Sequence, residues 1–497
     1  MKKLLIFFIM ISSGAFAQDV TDALRFSTQS VNGTARYTAM GGAFGALGGD
    51  ISAIHINPAS SSVFLTNKFS ASLDFTTIDN DAFFGGGFNS TSNSDFDLNQ
   101  LGAVFIFTTN NENALFEKIS VGFSYNRSNN FDDEYFVSGQ NSESVSDFFL
   151  QNAQGVPLDL LVPRSGESQA DLYRFLGENE GYGPQQAFLG YDTFIIDAVN
   201  PSDLSSTEYS SNVFGSSFNQ SYSEVTSGNS GKYTINGGGL ISDRLHLGLN
   251  LNFHFSDFRR STLFDESNSS SSGVTDIYFD NDLRTRGSGF SFQLGGIAKI
   301  TNAWRLGFTY DSPTWMNVSD ELFQRLETVR TNDGVAILDP GVLNIYPDYN
   351  FRTPGRLSLS TAYVFGGFGL LSFDYSYKDF SNMEFTSGGF QLENQNISSL
   401  LTGASTFNLG SEFRIQKISL RAGYFLQESP YINENFLGDT TGYSFGLGHN
   451  FGNTSIDFSF QRVEQDRQGI LYSTGLAQEA EIESYINNYM ITLSFGL

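Results

Sequence analysis

The sequence predicts an all-β protein: a fourteen-stranded antiparallel transmembrane β-barrel with an N-terminal plug and one long, partly helical outer loop. Three observations predict it. An export signal opens the chain, apolar and polar residues alternate in run after run, and short connections alternate with long ones.

Met1 to Ala17 has the three parts of a secretory signal: Lys2 and Lys3, an apolar run from Leu4 to Ile11, and the small-x-small site Ala15-Phe16-Ala17. Cleavage after Ala17 is expected. No later stretch approaches the roughly 20 apolar residues that a membrane-spanning helix requires. Charged residues are only 16%, whereas Gly (51), Phe (50) and Tyr (22) abound. That mixture fits a closed barrel, whose strands need apolar residues only at alternate positions. The net charge of −26 argues against nucleic acid or anionic lipid as a ligand. With no cysteine, the chain has neither disulfides nor thiolate metal sites, and no lipid attachment at the cleavage site.

Residues 18–64 are expected to form the plug. Gly33, Gly41, Gly42, Gly45, Gly48 and Gly49 crowd one segment of small residues, which permits close backbone approach to surrounding walls. Asn57-Pro58-Ala59 then interrupts any helix or strand, because Pro58 has no N–H and pushes Asn57 toward an extended conformation.

Residues 65–497 are expected to form the barrel. Leu245, Leu247, Leu249, Leu251, Phe253 and Phe255 alternate with His246, Gly248, Asn250, Asn252, His254 and Ser256. This is the period of a strand with one apolar and one polar face. Because the polar faces carry little charge, lipid outside and a polar lumen inside is the better assignment than a soluble sandwich. Fourteen such runs lie near residues 67–79, 98–108, 117–128, 219–240, 244–263, 276–300, 303–328, 346–366, 368–385, 402–415, 417–430, 439–452, 454–469 and 484–497. Connections after runs 4, 6, 8, 10 and 12 are very short, while those after odd runs are mostly longer and polar. Tight turns in the periplasm and long loops outside would put both termini in the periplasm.

The longest connection, 129–218, carries apolar, helix-like stretches: SVSDFFLQN with Phe148 and Phe149, QADLYRFL with Phe175 and Leu176, and PQQAFLGYDTFIIDAV. These either pack on one another to cap the outer mouth or offer an entrance groove to an apolar ligand. Catalytic chemistry is missing. His246 and His254 share a face but sit about 26 Å apart at ~3.3 Å per residue, too far for one metal. Asp276, Asp280 and Asp282, placed beside an outer loop, read as a solvated acidic cluster without a calcium motif. No GxSxG is present, so the chain reads as a non-enzyme without metal or cofactor.

The Gly-rich segment, Asp50, INPAS and the following strand KFSASLDF resemble the outer-membrane FadL/TodX family of hydrophobic-substrate transport channels. LGFTYDSPTW, TPGRLSLSTAYVF, LRAGYFLQESPY and GYSFGLGHNFGNTSIDFSF are similar too, in order, across nearly all of the mature chain. The resemblance implies passive uptake across the bacterial outer membrane of long-chain fatty acids or other hydrophobic molecules, with plug movement and sideways release through a gap in the wall. Asn57, Pro58 and Ala59 match the family's plug motif, and Gly41, Gly42 and Gly45 complete the expected gate. His55 reads as a packing residue or as a ligand contact, an axial haem ligand included. Inward-facing Arg305 and Arg421 are candidates for a ligand carboxylate, with pairing to Asp374 or Asp457 as the alternative role. The expected partners are a hydrophobic small molecule and outer-membrane lipid, and no protein partner can be named from the sequence. A shuttle component of a protein secretion system and a channel for haem or aromatic hydrocarbons remain rival readings.

Overall fold

Outward-facing leucines and inward-facing asparagines are the governing pattern of the structure, a computed structural model describing residues 20–109, 111, 114–472, 474–476 and 478–496. The signal expected at 1–17 lies outside the described residues. Fourteen antiparallel strands close into one barrel. They are β1 (Lys68–Phe84), β2 (Gly87–Thr108), β3 (Lys118–Asn130, resuming as Asp133–Asn141), β4 (Phe218–Ile241), β5 (Leu245–Ser267), β6 (Val274–Lys299) and β7 (Trp304–Asp311, resuming as Trp315–Arg330). Next come β8 (Tyr349–Arg352 and Arg356–Val364), β9 (Gly369–Asp379), β10 (Gly403–Ile415), β11 (Ile418–Gln427), β12 (Thr440–Asn450), β13 (Thr454–Gly469) and β14 (Ala480–Gly496). The seam runs from Lys68 opposite Gly496 to Phe83 opposite Glu481.

The alternation predicted for β5 holds from Leu245 to Phe253, and His254 and Phe255 beyond it are both half-buried. Leu245, Leu247, Leu249, Leu251 and Phe253 are exposed, while His246, Asn250 and Asn252 are buried inside. An apolar outer wall around a polar interior is the inverse of a soluble protein and the signature of a membrane barrel.

Three departures from expectation have local causes. The long polar loop expected after the first strand is instead a continued hairpin, turning at Gly85-Gly86, whose φ angles are 53° and 80°. Asn89 to Asp95 are polar on both faces, so their pairing leaves no apolar period to read. β7 and β8 each break once, at Ser312-Pro313-Thr314 and Thr353-Pro354-Gly355, since proline offers no N–H to the ladder. Asp276, Asp280 and Asp282 lie within β6, not beside a loop; Asp280 pairs with Arg325 at 3.4 Å and Asp282 accepts from the Ser261 hydroxyl at 2.5 Å.

Residues 20–64 contain α1 (Val20–Ser27), α2 (Ala35–Ala39) and two 3-10 turns, Ser52–His55 and Pro58–Val63. Almost every residue from Gly33 to Phe64 is buried within the barrel. Between β3 and β4 the chain builds a cap from α3 (Ser146–Ala153), α4 (Gln169–Asn179), α5 (Tyr182–Asp192) and the two-stranded ribbon Ile196–Ala198 with Tyr209–Ser211. α4 starts with a capping box in which Ser168 and Asp171 satisfy each other's backbone N–H groups. A last helix, α6 (Gln391–Leu400), joins α1, Phe351 and Phe385 in a separate apolar cluster.

Candidate functional site: the filled lumen and the interrupted wall

Asn57 is the hub of the segment inside the lumen. Its side-chain amide donates to the carbonyls of Gly45 (2.7 Å) and Gly296 (3.0 Å), and its Oδ1 accepts from the N–H of Ala59 (3.1 Å), capping the turn that Pro58 begins. Wall polar groups hold the rest. Asp374 accepts from the Gly45 N–H (2.8 Å), Arg305 donates to the Leu47 carbonyl (2.8 Å), and Asn408 donates to the Gly41 carbonyl (2.6 Å). Ala35 N–H donates to the Thr492 hydroxyl (2.7 Å) on the last strand. Gly41 and Gly42 have φ of 58° and 79°, in the left-handed region.

The wall makes room with glycines of its own. A Cβ on Gly295 would sit 2.1 Å from Asn57 Oδ1, one on Gly307 2.3 Å from the Gly45 carbonyl oxygen, and one on Gly423 2.1 Å from the Gly41 nitrogen. Sequence reasoning missed these partners. Their signal was present: glycines at lumen-facing positions of strands whose outward positions are bulky.

Buried charge fastens α2. Arg36 donates to Glu412 (2.8 Å), which also takes Arg421 (2.7 Å) and Arg414, while Arg421 reaches Asp457 (2.7 Å). Arg421 is therefore paired with Asp457, and Arg305 serves the Leu47 carbonyl and not an acid. His55 is buried with its ring nitrogens 3.3 Å from the hydroxyls of Ser124 and Thr234. Burial, with the Lys232 ammonium adding to it, holds the imidazole well below its usual pKa and thus neutral. Phe148, Phe149 and Leu176 are fully buried in the cap core, with Phe175 packed at its edge. Their burial supports packing over an open groove.

The wall itself is interrupted between β2 and β3. Their pairing runs from Thr108 opposite Lys118 only as far as Gln100 opposite Asn126. β2 continues to Gly87 in a ladder with β1 alone, while β3 bulges at Arg127 to Asn129, kinks and follows β4. It meets the hairpin tip again where the Thr91 hydroxyl donates to the Glu134 carbonyl (2.6 Å) and the Gln140 N–H to the Gly85 carbonyl (3.1 Å). Side chains span the slit. Fully buried Arg127 pairs with Asp74 on β1 and with Asp97 on β2 (2.8 Å), and Asn130 donates to Asp95 (3.4 Å).

Just inside this slit lies a cavity of about 400 Å³. Leu24, Phe425, Tyr431, Phe436 and Val463 give it apolar walls, and Arg127, Asn129 and Asn130 form its side at the slit.

No family model and no curated protein matches the chain. Solved structures do. The toluene transporter TodX of Pseudomonas putida aligns with a TM-score of 0.53 at 13% identity, over 95% of this chain and 100% of that one. A FadL homologue of Pseudomonas aeruginosa gives 0.58 at 12% identity, over 95% and 99%. The CymD monoaromatic hydrocarbon channel gives 0.51 at 13% identity, over 95% and 100%. What is shared at these identities is architecture across the whole length: this chain has the barrel fold of the FadL and TodX outer-membrane channels.

Proposed function

We propose that the protein is a passive outer-membrane channel for hydrophobic molecules, long-chain fatty acids foremost, with both termini in the periplasm. The observation that carries this reading is the position of the 400 Å³ cavity, apolar on one side and bounded on the other by the residues that bridge the β2–β3 slit. That volume falls in the roughly 300–1,000 Å³ range of small-molecule sites. Each CH₂ buried there contributes about 0.8 kcal/mol, enough to draw an acyl chain from water. The N-terminal segment acts as a plug that blocks the direct route along the barrel axis. A ligand in the cavity then leaves sideways once the Arg127 bridge parts, entering the bilayer without crossing water. Aromatic hydrocarbons are the second reading, since TodX and CymD carry toluene and monoaromatic hydrocarbons. The purified barrel should bind a fluorescent polyene fatty acid saturably, and Phe425→Asp with Phe436→Asp should weaken that binding at least tenfold. Unchanged affinity in the double variant would remove the cavity from the pathway. Stronger competition by toluene than by palmitate would favour the second reading.

A further inference from the structure

At the end of the barrel opposite the cap the charge balance reverses. The chain as a whole carries −26, a balance that opposes nucleic acid and anionic lipid over most of its surface. Yet a cavity of about 450 Å³ beneath the N-terminal segment is walled by Arg36, Lys68, Arg414, Lys417 and Arg421, against Asp50 and Asp457. Fully buried Glu412, just behind the wall, brings the acids to three against five cations.

The pairing within this set leaves two cations over. Glu412 and Asp457 are consumed by the three arginines through the contacts described above. Asp50 is engaged by the Thr34 hydroxyl (2.7 Å) and the Ser52 N–H (2.9 Å). Lys68, at the start of β1, and Lys417, on the exposed turn between β10 and β11, make neither a side-chain hydrogen bond nor an ion pair among the described residues. Both line the cavity. A concave chamber with low-dielectric walls focuses such unbalanced charge and concentrates counter-ions. Neutral donors complete the set: the hydroxyls of Ser419 and Ser455 and the amide of Asn450 line the same space.

We infer that this chamber is a binding site for an anion presenting a phosphate or carboxylate, reached from the tight-turn end of the barrel between the turns that carry Gly367, Lys417 and Asn450. Two sources share that chemistry: a soluble phosphorylated or carboxylated molecule, and the headgroup of an anionic phospholipid in the leaflet that surrounds the turns. The site is separate from the apolar cavity at the slit, which lies on the other side of the N-terminal segment and shares no lining residue with it.

Two probes separate the sources. Inorganic phosphate is titrated calorimetrically into the detergent-solubilised protein. In parallel, nanodiscs of mixed phosphatidylglycerol and phosphatidylcholine are used to load the protein, and retained lipid is counted by native mass spectrometry. The expected result is one saturable equivalent of phosphate, or selective retention of one phosphatidylglycerol, weakening as salt is raised. Phosphate binding identifies a soluble anion and phosphatidylglycerol retention a headgroup; either supports the site. Lys68→Gln combined with Lys417→Gln removes both unpaired ammoniums, leaves the Arg36–Glu412 contact untouched, and should weaken binding at least tenfold. Lys417→Glu alone, on the exposed turn, carries the same comparison if the double variant fails the heat-dependent gel-mobility check for a folded barrel. Failure of both probes to bind saturably, or a folded variant that binds as the parent does, overturns the inference.

Discussion

Arg127 of β3 donates to Asp97 of β2 across 2.8 Å, one position beyond the last residue at which the two strands pair. A side-chain bridge thus begins where the backbone ladder ends. The remaining guanidinium contacts go to Asp74 on β1, with Asp95 farther out at 3.5 Å. Between β2 and β3 the wall is held by side chains, whereas the flanking β1–β2 and β3–β4 pairs keep their ladders.

Covalent closure of the slit tests its role. The chain has no cysteine, so Asp95→Cys with Asn130→Cys places a single pair on the two sides. Oxidised, this variant should bind a fluorescent fatty acid like the parent but lose uptake into vesicles, and a reductant should restore it. Uptake unaffected by the cross-link would move the exit elsewhere.

Removing Arg127 tests the bridge itself. Arg127→Ala strands the buried Asp74 carboxylate, and breaking a buried pair costs about 3–5 kcal/mol. Urea unfolding of the refolded barrel should show that loss, and Asp74→Asn added to Arg127→Ala should return part of it. An unchanged midpoint would mean that water has replaced the guanidinium at little cost.

Much of this architecture was legible beforehand, and the failures are instructive. The Leu245 to Phe253 alternation placed β5 because lipid imposes a two-residue period at membrane depth. Above that depth the constraint vanishes, so the hairpin through Gly85-Gly86 read as a loop. The Arg421–Asp457 pair could be foreseen from strand parity alone. Glu412 faces Arg421 across the β10–β11 ladder and was open to the same parity, but its tie to Arg36 was not, because no sequence period fixes where α2 sits against the wall. Arg127 carries no sequence mark at all: its burial follows from a kink that shows only when β2 and β3 are seen to diverge.

The seat of the plug should be sensitive from the wall side. Gly295→Val puts a side chain where Asn57 now sits, and Gly42→Leu and Pro58→Ala disturb the same seat from within. Barrel insertion should stay normal by heat-dependent gel mobility, while single-channel conductance and sensitivity to large antibiotics rise in all three. Variants as tight to ions as the parent would show that the segment does not seal the pore.

The cap should respond independently of the barrel. Phe149 is fully buried against Phe148 and Phe279, and Phe149→Ala is expected to cost about 3–5 kcal/mol of local stability. Limited proteolysis should then cleave within 142–217 far faster than in the parent, with the transmembrane portion still resistant. Equal protection of both proteins would show that the cap does not depend on this core.

The hydrogen bond from Ala35 to Thr492 joins residues 457 positions apart. Contacts so distant in sequence close late, because the intervening chain must be organised first. Here the order is further constrained by geometry: a sealed cylinder cannot be threaded afterwards by a segment that touches its wall on nearly every side. The β1–β14 seam is therefore expected to close last, and a chain truncated before Ala480 should reach the membrane machinery with its leading residues still open to protease.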